Sequence, residues 1–303
     1  MPIYRIDAKN TIHKVRPSAF DTEKVLQQLF EANLEELLGV RFIATEFTTG
    51  DRQRGRIDTL GLDQDNSPTI IEYKRTSKEN IINQGLFYLD WLVDHKGDFT
   101  MAAQKALGEE IEMDWSSPRL ILIAETFSEY DQYAVNRIGA NVELWTYQRY
   151  ADDLLLLEAI FVTQAREHSK STTKEKREKP AKAHPLTVQD HLEGKPQEIL
   201  ELFQELREQV LALAGENEIL EKANKNYVVY KHGKNFCEVW IQAAALKLWL
   251  DISIEDLDDP YEMARDVSEI GHWGTGDVEV SISDLSEMEK LMHLVEQSYR
   301  QTV

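Results

Sequence analysis

Between Arg54 and Arg75 the chain reads RGRIDTLGLDQDNSPTIIEYKR, two strand-like runs joined by the turn residues Asn66, Ser67 and Pro68. A segment of this kind is expected to fold as a β-hairpin. Each run also places charge inside apolar sequence, Asp58 in the first and Glu72 with Lys74 in the second. Residues two apart on a strand share a face, so Glu72 and Lys74 are neighbours and the hairpin can bring Asp58 beside them. Charges inside a sheet are costly unless they meet partners. Two carboxylates and an ammonium gathered at one spot can hold a divalent cation and activate a water. A purely structural ion-pair cluster would satisfy the same pattern.

The 303 residues suit about two domains, and a hydrophobic content of 42% is enough for real cores. Cys237 is the single cysteine, which excludes an intramolecular disulfide and a cysteine-rich zinc site and suits a reducing cytoplasm. No segment approaches ~18 consecutive apolar residues, so no membrane span is expected. The start, MPIYRIDAKNTIHKV, has no apolar run flanked by basic residues, so no signal peptide is expected.

The net charge is -20, which opposes non-specific attraction to nucleic acid. It divides into -10 over residues 1–163, +4 over 164–185 and -14 over 186–303. Contact with a polyanion would need local cations, such as Arg52, Arg54, Arg56, Lys74, Arg75 and Lys78. Residues 165–185, almost without large apolar side chains, read as a flexible basic linker, so 164–185 would separate domains at 1–163 and 186–303.

In the first domain, Asp21 or Thr22 can cap a helix starting near Glu23, with Leu26, Phe30, Leu34 and Leu37 as its buried stripe and Gly39 at its end. Strands follow at 40–47, 56–62 and 69–74, then a helix over 79–93 with Ile82, Leu86, Leu89 and Val93 inward. A helix at 99–107, a strand at 119–125, a helix at 128–138 and two more strands complete an α/β sandwich around a mixed sheet. The second domain reads as α+β. It has helices at 187–193 and 196–214, strands at 226–231, 236–242, 245–251 and 277–283, and a closing helix at 284–300 with Leu285, Met288, Leu291, Met292 and Val295 inward.

Over about residues 20–160 this order resembles the PD-(D/E)xK nuclease superfamily, with its restriction-endonuclease-like core. Asp58 falls where that family places the acid of its second strand, and Glu72-Tyr73-Lys74 matches the E-x-K of the third. Gln84 and Tyr88, in NQGLFYLDWL, match the Q-x-x-x-Y pattern of the branch that includes NucS-like and RecB-like nucleases. Glu23 matches the acid that branch adds in its first helix, with Glu46 as the alternative. The resemblance implies that Asp58, Glu72 and the Tyr73 backbone carbonyl bind Mg²⁺ or Mn²⁺. Lys74 would orient the attacking water and offset transition-state charge, while Glu23 and Gln84 would support the nucleophile or Lys74. It also implies a nucleic acid substrate, DNA foremost, and a homodimer as one expected assembly. Tyr88 and Trp91 read as wall or core aromatics.

The C-terminal domain resembles a domain of unknown function often found beside such cores, on NYVVYKHGKNFCEVW, DVSEIGHWGTGDVEVSI and the final helix ending in Tyr299. Some relatives carry a "predicted transport protein" label, which the lack of a membrane span argues against. His272 with Asp277 would need a third ligand to make a metal site. Gly271, Gly274 and Gly276 could cradle an anion, and Trp240, Trp249 and Trp273 read as core or partner-facing. The expected function is a metal-dependent phosphodiesterase whose C-terminal domain serves recognition or assembly. The competing reading is a catalytically silent binding or assembly protein with an acidic, regulatory C-terminal domain.

Overall fold

The computed structural model describes residues 2–50, 55–75, 81–108, 110–138, 140–151, 153–163, 186–215 and 218–302. The expected linker, the cations Arg52, Arg54 and Lys78, and the expected helix start at Glu79 lie outside them.

Three short strands not foreseen from the sequence come first: β1 (Ile3–Ile6), β2 (Ile12–Val15) and β3 (Pro17–Ser18). Thr22 then caps α1 (Glu23–Glu31), its hydroxyl accepting from the Val25 N–H at 3.2 Å. The helical stripe continues in α2 (Leu34–Leu38) after a break at Ala32–Asn33, and Leu38 is buried where Leu37 is only partly so. Gly39 ends α2 in the left-handed region, at φ 61°.

Strands β4 (Val40–Thr48), β5 (Arg56–Asp63) and β6 (Pro68–Lys74) form an antiparallel meander. Helices α3 (Ile81–Asp94) and α4 (Lys96–Leu107) carry the chain over one face to β7 (Arg119–Ala124), which lies parallel to β6. Helix α5 (Glu129–Ile138) leads to β8 (Asn141–Tyr150), parallel to β7, and β9 (Leu154–Thr163) returns antiparallel to β8. The sheet order is β3-β8-β7-β6-β5-β4, with β9 also on β8. This is the expected α/β sandwich around a mixed sheet.

One core lies between the sheet and α3/α4, around Ile70, Leu120, Leu122 and Trp91. A second lies under α1 and α2, around Leu26, Phe30, Ile71 and Tyr73. Of the expected inward positions of α3, Ile82 and Leu89 are buried and Leu86 packs partly buried on the core, whereas Val93 is exposed; Ile81, Tyr88, Trp91 and Leu92 are buried as well. Because β6 and β7 are covered on both faces, their sequences are continuously apolar except at charged positions.

The C-terminal unit is α+β, as expected. Helices α6 (Val188–Leu192) and α7 (Gln197–Leu211) precede β10 (Leu220–Ala223), β11 (Val228–His232), β12 (Lys234–Ile241) and β13 (Leu246–Leu250). Then come β14 (Arg265–Asp266), β15 (Val278–Ile282) and α8 (Met288–Arg300). The antiparallel order is β10-β11-β12-β13-β15-β14, with α7 and α8 packed on one face. Leu285 falls in a 3₁₀ turn ahead of α8 and is exposed, not inward.

Buried charge ties this unit to the first. Lys231 is 3% exposed and reaches Asp63, the last residue of β5, at 2.8 Å and Asp65, in the β5–β6 turn, at 2.5 Å. Asp65 also accepts from Tyr227 and Asn224, and Lys222 bonds Ser67 and Asp114. Burial works against ionisation of Asp65, but Lys231, Lys222 and these hydrogen bonds outweigh it and hold its carboxyl at about 2. Arg119 pairs with Glu143 and donates to the Leu38 and Gly233 carbonyls, all buried. Gly233 sits at φ +77°, where a Cβ would meet the Trp145 ring at 2.7 Å, so only glycine permits this approach. Removing a partner from a buried ion pair costs ~3–5 kcal/mol. Lys231→Met should therefore lower the urea midpoint by that equivalent, and an unchanged midpoint would show that the network does not hold the units together.

Candidate active site

The paired register of β5 and β6 runs from Leu62↔Pro68 to Thr59↔Ile71. One step further the strands exchange side-chain bonds for backbone ones. The Asp58 N–H donates to Glu72 Oε1 at 3.0 Å, and the Tyr73 N–H donates to Asp58 Oδ2 at 3.1 Å. These bonds hold both carboxylates at the end of the hairpin, at the edge of the core. Gln84, on the first turn of α3, donates to Glu72 Oε2 at 2.7 Å. Lys74 Nζ lies 2.9 Å from Glu23 Oε1, and the Arg75 N–H donates to Glu23 Oε2 at 3.2 Å. All five expected side chains, Asp58, Glu72, Lys74, Gln84 and Glu23, thus converge. The Tyr73 side chain points to the other face, against Phe30, so only its backbone can serve this site.

Glu46 is the residue left aside. It sits at φ 52° and pairs with Lys24 and Arg56. Its charge still reaches Asp58, whose pKa it raises slightly. Tyr88 is buried and its hydroxyl accepts the Arg56 N–H at 3.1 Å, which anchors the start of β5. Gly55 is needed there, since a Cβ would meet the Tyr88 ring at 2.5 Å. Trp91 is a core residue, as expected.

Sequence reasoning missed Gln27. It is buried on α1 and donates to the Asp58 carbonyl at 2.7 Å and to Glu31 at 2.9 Å, while Thr59 donates to Glu31 at 2.7 Å. The available signal was a polar residue between Leu26 and Phe30 on the inward stripe of a helix.

Among the described residues the site is short of positive charge. Burial raises the Asp58 carboxyl to about 6, against the opposing effects of the Tyr73 N–H and Lys74. Burial and then the Asp58 charge push Glu72 up to about 9. Two carboxyls this close share their protons, so the titration belongs to the pair. Among the described residues no three His, Cys, Asp or Glu side chains form a metal-binding group. The donor set still fits a hard cation that keeps several waters: two carboxylates with lone pairs beyond the hydrogen bonds named, at a spot where added positive charge relieves both raised pKa values.

In the C-terminal unit, the His272 ring stacks 5.7 Å from Trp249, and among the described residues it forms no ion pair with Asp277. Gly274 and Gly276 are small because Trp249 and the Leu250 backbone crowd them, at 2.7 and 2.4 Å from a Cβ, so packing explains them better than an anion cradle. Trp249 is buried, whereas Trp273 is exposed.

The carboxyls of Asp58 and Glu72 bind protons more tightly folded than unfolded, where they titrate near ~4. Their contribution to stability is therefore greatest below pH ~4 and declines as pH rises through about 6 and about 9. In metal-free protein, Asp58→Asn with Glu72→Gln should flatten that decline and raise Tm at alkaline pH more than at acid pH. Overlaying Tm–pH profiles for variant and parent would contradict the raised values.

Residues 188–302 match the family model of a domain of unknown function, DUF5655. Two solved structures resemble part of the chain. The crystal structure of a repair endonuclease from Pyrococcus abyssi is 19% identical, with a TM-score of 0.24, over 41% of this chain and 47% of that one. The EndoMS-dsDNA2 complex is 16% identical, with a TM-score of 0.24, over 47% of this chain and 64% of that one. Both overlaps span less than two thirds of those chains, and at such TM-scores neither bears on activity. An uncharacterized protein of Haemophilus influenzae (strain ATCC 51907 / DSM 11121 / KW20 / Rd) is 32% identical over 299 residues, 96% of this chain and 97% of that one. With that identity along nearly the whole of both chains, the protein belongs to the same family as this Haemophilus influenzae relative.

Proposed function

We propose that this protein is a metal-dependent phosphodiesterase that hydrolyses nucleic acid, DNA foremost. The observation that carries the reading is the facing pair Asp58 and Glu72, both raised in pKa, at the end of β5–β6 with Lys74 beside them. The ordered match to the PD-(D/E)xK pattern supports it. Asp58, Glu72 and the Tyr73 backbone carbonyl would hold Mg²⁺ or Mn²⁺, which when bound supplies Lewis-acid polarisation of a phosphoryl oxygen. Lys74, steered by Glu23, orients the attacking water and offsets charge that develops on the phosphate. Gln84 fixes the Glu72 carboxylate. Gln27, through the Asp58 carbonyl, sets the height of β5 against α1.

The C-terminal unit serves assembly or recognition in this reading. Its buried Lys222 and Lys231 bond Ser67, Asp63 and Asp65 at the β5–β6 turn, four residues of strand from Glu72, or ~13 Å at ~3.3 Å per residue. It therefore docks at the other end of the hairpin from the carboxylate pair.

A second reading is a catalytically silent binding or assembly protein with the same fold. The net charge of -20 and the lack, among the described residues, of three acids placed to share one metal ion favour it. The two part in one experiment. Incubated with linear and supercoiled DNA, the parent should cleave with Mn²⁺ or Mg²⁺ and not with EDTA. Asp58→Asn and Lys74→Met should each slow cleavage by ~10²-fold or more. Undiminished cleavage in both variants would remove the assigned site, while calorimetry without Mn²⁺ uptake by the parent would favour the silent reading.

A further inference from the structure

We propose that the N-terminal hairpin β1–β2 is a duplex-binding ribbon that lies in a groove of the substrate beside the cleavage site. The proposal rests on the nuclease reading above and adds a contact which that reading does not contain.

The hairpin is a separate two-stranded sheet, in register from Ile3↔Val15 to Ile6↔Ile12. Strand alternation turns Ile3 and Val15 toward the body and the other face to solvent. That outer face carries Tyr4, Ile6 and Ile12, exposed by 52%, 66% and 63%, together with Lys14. A lone two-stranded hairpin is marginal in water, and an outward Ile6–Ile12 pair adds only a modest cross-strand contact while most of its apolar surface stays in water unless something covers that face.

The ribbon is nevertheless built to hold its shape. Asp7 closes its tip, accepting from the Lys9 and Thr11 N–H groups at 2.8 and 2.9 Å, and its other oxygen meets His13 at 3.1 Å. Asn10 takes the left-handed turn position at φ 58°. At the root, the Ala151 N–H donates to the Arg16 carbonyl at 2.9 Å and Arg5 pairs with Asp153 at 2.6 Å.

Charge identifies the occupant. Residues 2–16 hold Arg5, Lys9, Lys14 and Arg16 against one acid, Asp7, a net of +3 on a chain of -20. Lys9, Lys14 and Arg16 are exposed. Two such ribbons stacked on each other would oppose like charges, whereas a polyanion complements them. The major groove of a duplex is wide enough for a two-stranded β-ribbon, and Ile side chains can lie against base edges there while lysines reach the phosphates.

Position agrees. The strap after β3 runs straight to Glu23, and Arg75, next to Lys74, pins it through the Phe20 and Asp21 carbonyls at 2.9 and 2.7 Å. The seven residues from Arg16 to Glu23 span at most ~25 Å, less than one duplex turn of ~34 Å. A duplex with its scissile phosphate at Lys74 thus passes within reach of the ribbon.

The test measures binding of a labelled two-turn duplex in EDTA by fluorescence anisotropy across a salt series, using the full chain. Charge reversal at Lys9→Glu, Lys14→Glu and Arg16→Glu together should weaken binding at low salt by ~10-fold or more. It should also reduce the slope of log K against log salt by ~2–3, since each phosphate contact contributes ~0.9. Ile6→Ser with Ile12→Ser should weaken binding while leaving the sedimentation coefficient unchanged. An unchanged affinity and slope in the charge-reversed protein overturns the proposal. So does an Ile6→Ser/Ile12→Ser protein that passes from dimer to monomer with duplex affinity intact, which would make the ribbon a self-association face. If the parent never cleaves but the slope still falls, the ribbon stands and only the catalytic reading fails. If it cleaves and the slope is unchanged, the ribbon alone fails.

Discussion

Desolvated charge at the two ends of one β-hairpin governs this molecule. Strands β5 and β6 are covered on both faces, so the acids at either end lose water on folding and must be compensated from elsewhere. At the turn end, Lys231 and Lys222 arrive from the C-terminal unit, and Asp65 stays ionised with its carboxyl at about 2. At the open end, among the described residues, the ammonium that acts on both carboxyls is Lys74, already engaged by Glu23, and both carboxyls rise, Asp58 to about 6 and Glu72 to about 9. The same strands thus carry a finished ion network and an unfinished one. A network finished within the chain needs no visitor, whereas the unfinished one gains from any divalent cation that reaches it. That contrast separates the structural acids from the candidate catalytic ones more sharply than burial does, because both sets are buried.

The candidate site was legible in the sequence because its signal is local. Charges at 58, 72 and 74 interrupt apolar strand patterns, and a hairpin with a short turn can bring them together in few ways. Gln84 and Glu23 were legible only through the family pattern, since nothing in their own windows separates them from surface polar residues. Gln27 was not legible because its partners are a backbone carbonyl on β5 and the Glu31 side chain, which meet only after α1 packs on the sheet. Val93 was misread for a related reason. Helix α3 is apolar around much of its circumference, so the face it buries is chosen by its fit against Leu120 and Leu122 and by Gly85, where a Cβ would approach those leucines at 2.8–3.0 Å.

The link between the two units was invisible for a different reason. Asp63 and Asp65 fall at the β5–β6 turn and Lys231 near the end of a strand, positions where a charged residue has an adequate local explanation. Asp63 does serve the turn, accepting from the Asp65 and Ser67 N–H groups through Oδ1, while Oδ2 meets Lys231. One carboxylate therefore sets both the turn geometry and the docking of a sheet about 170 residues away in sequence. Gly39 has a comparable double role. Its φ of 61° ends α2, and a Cβ on it would meet Lys234 and Gln64 at 2.6 and 2.5 Å.

The acidity of the chain is the strongest objection to a nucleic acid substrate, and its distribution answers part of it. Net charge acts at long range and is screened within about 10 Å at ordinary ionic strength, so a polyanion that has reached the surface responds to the charges nearest to it. Around Glu23 those include Lys74 and Arg75, while the C-terminal unit, with its net -14, is held at the far end of the β5–β6 hairpin by Lys231. The docking network then has an electrostatic consequence as well as a mechanical one: it keeps the most acidic part of the chain away from the carboxylate pair. An acidic body of this kind slows encounter with any nucleic acid and penalises weak, non-specific binding more than binding that also engages the ribbon and the site. For the proposed nuclease, slow and demanding association would be a form of selectivity.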